Sequence, residues 1–150
     1  MKYRIESDFL GEMKIPSDAY YGIHTQRAVD NFPIADVAIS VYPNIVIAYA
    51  MVKLACARAN NKLGLLEDEI YEPIVSACER IIDGEFHDQF VVEIIQGGAG
   101  TSTNMNANEV IANVALEIIG KEKGDYDAIS PLGHVNMSQS TNDTYPTALL

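Results

Sequence analysis

Ala107, Val110, Ile111, Val114, Ala115 and Ile118 recur at intervals of three and four and stop at Gly120. That spacing sets them on one face of a helix, with the glycine where a left-handed terminator belongs. Two more segments carry the same signature. Asn44 to Lys62 is apolar almost all round, interrupted mainly by Lys53 and Arg58 and followed by Gly64, and it predicts a helix buried on most sides. Glu67 to Asp83 keeps Ile70, Ile74, Cys78 and Ile81 at helical spacing, with acidic residues in its first turn and Gly84 beyond its end; Pro73 weakens the pattern or marks a kink. The expected fold class is therefore mainly α. The N-terminus is the exception: Tyr3 to Glu6 and Glu12 to Ile15 predict a short β-hairpin about a turn at Phe9 to Gly11. Pro16, Ser17 and Asp18 then signal a helix from about Tyr20 to Asn31, with a break near Gly22. Phe32 to Tyr42 reads as a connector, and Phe90 to Ile95 suits a strand or an extended loop equally.

Composition narrows the partners. Aspartate and glutamate outnumber lysine and arginine by 21 to 10, a net charge of -11, which argues against nucleic acid or an anionic membrane. The N-terminal MKYRIESDF has charges where a signal peptide would have an apolar core, and the run Ile45 to Val52 is too short to span a bilayer. A cytoplasmic location is the expectation. Cys56 and Cys78 lie in separate helical patterns and read as small buried hydrophobes, while His24, His87 and His134 are scattered singly, so no metal site is expected.

The chemistry concentrates in Gln96 to Asn113, QGGAGTSTNMNANEVIAN. Gly97, Gly98, Ala99 and Gly100 bring the backbone to Thr101, Ser102, Thr103 and Asn104, directly before a helical pattern. The first N–H groups of a helix lack intrahelical partners and carry the positive end of its dipole, so such a start suits a carboxylate without any lysine or arginine. A second such start follows: Ser140, Thr141 and Asn142 precede Asp143 and Pro146. One serine or threonine before a helix is ordinarily only a cap. Several hydroxyls beside three glycines, twice in one chain, fit an anion site, although capping alone stays open on spacing. Asn104, Asn106, Asn108 and Asn113 are poor helix formers within a helical stretch, and their ordinary role is hydrogen bonding between packed helices. The paired glycines lack both the GxGxxG spacing and a GK[ST], so a nucleotide loop is weakly supported.

QGGAGTSTNMNANEVIAN and VNMSQSTNDTYPTA resemble the two N-terminal substrate motifs of the fumarase/aspartase superfamily, and IESDFLGEMKIPSDAYYGIHTQRAVDNF resembles its N-terminal region. Within the superfamily the chain is most similar to the aspartase branch. Fumarases carry a tryptophan-glycine-alanine-glutamine version of the segment that here reads Tyr20, Tyr21, Gly22, Ile23, His24, Thr25. They have a serine where Ala99 stands, and many have an HPND-type segment where this chain has Ser130, Pro131, Leu132 and Gly133.

The resemblance implies the superfamily's N-terminal domain over residues 1–140, with residues 141–150 opening its central helical-bundle domain. It implies reversible deamination of L-aspartate to fumarate and ammonia, without metal or organic cofactor, in a homotetramer. By the same likeness Thr101, Ser140 and Thr141 would cradle the β-carboxylate and Asn142 would contact the amino group, with Ser102 and Asn104 as lesser candidates. The catalytic base would be a serine on a downstream GSSxMPxK loop, so no catalytic residue is expected in this chain. A helix that begins near Asp143 and stops uncapped at Leu150 suggests part of a longer protein, inactive by itself. A fumarate hydratase is the alternative within the class. A non-catalytic helical interaction domain is the alternative outside it.

Overall fold

Alternation of buried and exposed residues builds the N-terminal hairpin. In this computed structural model, which describes residues 2–95 and 98–150, strand β1 (Tyr3–Asp8) pairs antiparallel with β2 (Gly11–Pro16), Tyr3 opposite Pro16 and Asp8 opposite Gly11. The strands run further than their apolar residues suggest because Asp8 closes the turn, its Oδ1 accepting from Leu10 N at 2.8 Å. Gln96 and Gly97, which open the glycine-rich motif, lie outside the described residues.

Helix α1 (Ile23–Asn31) starts three residues later than the turn signals imply. Two tertiary contacts account for the delay. Arg4 draws the carbonyls of Pro16, Ala19 and Tyr21 onto its guanidinium at 2.9, 2.7 and 2.6 Å, which holds the approach extended. The α1 start is then capped by carboxylates from elsewhere: Glu6 accepts from Ile23 N at 2.8 Å, and Glu109 accepts from Gly22 N at 2.9 Å, His24 N at 2.8 Å and Thr25 N at 3.0 Å. Gly22 is needed for this approach, since a Cβ there would sit 2.9 Å from Glu109 Cδ.

Helices α2 (Pro43–Lys62), α3 (Asp68–Ile82) and α4 (Thr101–Ile118) match the three long periodic segments, and α5 (Thr141–Leu149) follows the second hydroxyl cluster. Pro73 lies inside α3 without ending it. The helix predicted to be buried on most sides is buried on one: Val46, Tyr49, Ala50, Lys53, Ala57 and Asn60 form its inner stripe, while Met51 on the opposite face is 53% exposed. The helix predicted to have one buried face is buried all round, every residue from Thr103 to Leu116. α4 is thus the central rod. Val110, Ile111, Val114 and Ala115 meet Val46, Tyr49 and Ala50 of α2 and Ile74, Ala77, Cys78 and Ile81 of α3 in one core. Of the cysteines, Cys78 is buried as expected but Cys56 is only half-buried.

The stretch that suited strand or loop is extended and irregular. After a single 3-10 turn at His87–Gln89 it lies against the connector, with Ile39 N donating to Val92 O and Ile94 N to Val37 O, both at 2.9 Å. These bonds bury Phe90 and Val92. Among the described residues no helix is long and apolar enough to cross a membrane.

Candidate functional site

The two hydroxyl clusters begin helices in different ways. At α4 the cap is Gly100, in the left-handed region at φ 85°, which has no side chain to cap with. Thr101 is therefore the first helical residue rather than a cap. It is exposed, Ser102 is half-buried, and both line a cleft of about 170 Å³ with His24, Arg27, Asn31 and Met105. At α5 the ordinary reading of such a serine holds: Ser140 is the cap, and its Oγ accepts from Asn142 N at 3.2 Å. Ser140 and Asn142 are exposed and Thr141 is half-buried.

The two helix starts lean on each other. Thr144 Oγ1 donates to Asn104 Oδ1 at 3.1 Å, and the Tyr145 ring lies flush against Gly100. Thr101 and Ser102 face α1 in their cleft. Gln139, Asp143 and Thr144 line a different one of about 290 Å³ with Val52 and Cys56 of α2. The structure thus joins the helices that carry Thr101 and Ser140–Asn142, while Ser140, Thr141 and Asn142 line neither of these two clefts.

Asn104 is 2% exposed and fully committed within the protein. Its Oδ1 accepts from Lys53 Nζ at 2.7 Å and its Nδ2 donates to Asn136 Oδ1 at 3.0 Å. Asn106 and Asn113 also bond within the fold, but to connecting segments rather than to other helices: Asn106 binds Gln89 O, and Asn113 binds Tyr20 O and accepts from Gly124 N. Asn108 Nδ2 donates to Asn136 Oδ1 at 3.2 Å.

Two buried charges at this centre were not singled out from the sequence. Lys53 is 1% exposed, and burial pushes its ammonium down to about 7, against the pull of the amide oxygens around it. Its signal was there to see, as the lysine that ends the most apolar run, Ile45 to Val52. Glu109 is fully buried, and desolvation pushes its carboxyl up despite its backbone donors and Thr25 Oγ1, which donates at 2.6 Å. Its oxygens accept from the N–H groups of the α1 start, so that helix start is filled from within. Nothing in its local sequence distinguishes it from a surface glutamate. His87 Nε2 lies 2.8 Å from Ile81 O and His134 Nδ1 accepts from Ser130 N at 3.0 Å, both within the fold. Among the described residues no three His, Cys, Asp or Glu side chains gather to hold a metal ion.

The sequence and the fold both have known relatives. Over 146 residues the chain is 60% identical to an aspartate ammonia-lyase of Pseudomonas aeruginosa, covering 97% of this chain and 31% of that protein. The chain spans about a third of the length of the curated relatives it matches. Its fold superposes on a fumarate lyase:delta crystallin of Brucella melitensis with a TM-score of 0.96 at 60% identity, over 97% of this chain and 33% of that one. It superposes on a class II fumarase of Schistosoma mansoni with a TM-score of 0.91 at 36% identity, over 99% of this chain and 31% of that one. A family model described as lyase matches residues 11–150, and the chain belongs to that lyase family.

Proposed function

We propose that the chain is the N-terminal part of an aspartate ammonia-lyase, which interconverts L-aspartate with fumarate and ammonia. The observation that carries this reading is the 60% identity to the Pseudomonas aeruginosa enzyme, against 36% to the Schistosoma mansoni fumarase. In this reading residues 1–140 are the enzyme's first domain and residues 141–150 begin its central helical domain. The working enzyme is a homotetramer.

The reaction removes a proton from the carbon beside the β-carboxylate and leaves an enediolate with an extra negative charge. Donors aimed at that charge lower the barrier. Thr101 suits the task because it is exposed in the first turn of a helix whose cap residue, Gly100, has no side chain. Ser140 keeps a donor too: its capping bond uses an oxygen lone pair, and the hydroxyl hydrogen stays free. We assign Thr101, Ser140 and Thr141 to the β-carboxylate and Asn142 to the amino group. Ser102, beside Thr101 in the same cleft, shapes the loop. Neutral donors of this kind strengthen as the carboxylate becomes a dianion, so the site calls for no cofactor. Asn104 acts behind these residues, because its polar atoms are already bonded within the protein. The base is supplied by a serine outside these 150 residues.

Assay of the whole enzyme with aspartate and with malate separates this reading from a fumarate hydratase: fumarate forms from aspartate, and preferential turnover of malate overturns the assignment. The 150-residue chain alone releases no fumarate. Thr101→Ala in the whole enzyme lowers kcat/KM by about a hundredfold, the scale of one lost oxyanion donor, with little change in unfolding midpoint. Equal losses of activity and stability return Thr101 to a purely structural part.

A further inference from the structure

Lys53 sends its three ammonium hydrogens to three amide oxygens on two separate segments. Nζ lies 2.7 Å from Asn104 Oδ1, 2.8 Å from Gln139 Oε1 and 3.1 Å from Asn136 Oδ1. Three donors meet three acceptors, which a neutral amine, with two hydrogens, cannot match. Each acceptor is itself anchored. Asn104 stands in the first turn of α4, its backbone N–H bonded to Gly100 O at 2.9 Å. Gln139 immediately precedes Ser140 and is fixed by bonds from its Nε2 to Val135 O at 2.8 Å and Met137 O at 3.1 Å. Asn136 binds back to Gln139 O at 3.2 Å.

The ammonium is therefore the common partner of the helix that starts at Thr101 and the segment that leads into Ser140. We propose that Lys53 is a positioning residue for the dicarboxylate site, a strut on α2 that sets the separation of the Thr101 and Ser140–Asn142 helix starts without touching substrate. This rests on the assignment of those residues to the carboxylate. Stability alone is a poor reason to keep a lysine here. A buried ammonium with no opposing charge costs more than an apolar side chain of similar length. The ionisable groups that face it, Cys56 on α2 and Cys78 on α3, are thiols pushed up by burial and uncharged at neutral pH. Geometry is what the charge provides, since bonds from an ammonium are stronger and shorter than those of a neutral donor.

The test uses the whole enzyme with aspartate as substrate. Lys53→Met keeps the length and the apolar stem while removing all three donors. Its kcat/KM falls about tenfold or more, the scale of a lost charged hydrogen bond, while its unfolding midpoint holds or rises. In Lys53→Met, Thr101→Ala costs less than it does in the unmodified enzyme, because the two residues serve one geometry. Gln139→Leu removes a single arm and gives the same pattern in smaller measure, which keeps the test open where Lys53→Met does not fold. Unchanged kcat/KM in a soluble Lys53→Met or Gln139→Leu, with Thr101→Ala still damaging, overturns the strut alone. Losses that simply add overturn it as well. A harmless Thr101→Ala overturns the carboxylate assignment and the strut with it.

Discussion

Arg27 and Asp8 show how much one side chain can set at a distance. The guanidinium donates from Nε and Nη2 to the two carboxylate oxygens at 2.7 Å each, tying α1 to the hairpin turn. That pairing holds the Asp8 carboxyl down to about 2, below its ordinary 3.8. A carboxyl lowered in the folded state adds stability above its unfolded value, and the gain disappears as pH falls from 3.8 toward about 2. Urea unfolding midpoints should therefore drop more steeply over that interval in the unmodified protein than in Arg27→Met. Parallel slopes would remove Asp8 from the acid response. At this scale the sequence was informative about residue types and silent about their commitments. Thr101 and Ser140 look alike in the chain, yet Ser140 caps its helix and Thr101 does not, because Gly100 already occupies the cap position. Asn104 reads as a substrate contact or as a bond between packed helices, and in the structure its side chain is buried against Lys53 of α2.

Among the elements, the ends of α2, α3 and α4 were legible because glycine acts within one or two residues of a helix terminus. The start of α1 was not, since the carboxylates that cap it come from β1 and α4. The start of α4 combines both cases. Gly100 has φ +85° with the Tyr145 ring of α5 against it, whereas Gly64, after α2, has φ +72° and open space where a Cβ would point. Gly64→Ala should cost about 1–2 kcal/mol, the left-handed penalty alone. Gly100→Ala must also displace the aromatic ring and should cost about 1–3 kcal/mol more. Chemical denaturation of the two variants compares them directly. Equal losses would mean that Tyr145 does not brace the α4 start.

For the whole molecule, the hairpin and the helices have separate cores. Ile15, Ala19 and Ile23 form a small cluster apart from the large one centred on α4. Arg4 and Glu6 supply the polar joints between the hairpin and the segment leading into α1. Arg4→Ala should raise amide hydrogen exchange in β1 and β2 about tenfold or more while leaving protection in α2, α3 and α4 unchanged, the behaviour of a unit that opens by itself. Faster exchange throughout would mean that hairpin and helices unfold as one. Periodicity and glycine punctuation by themselves determined that this chain is mainly helical and where its long helices end, because those signals act over a single turn. Tertiary structure alone decided which helix is central and which polar residues are partners. Lys53 meets Asn104 across 51 residues and Thr25 meets Glu109 across 84, and no local pattern records a contact between residues so far apart in the chain.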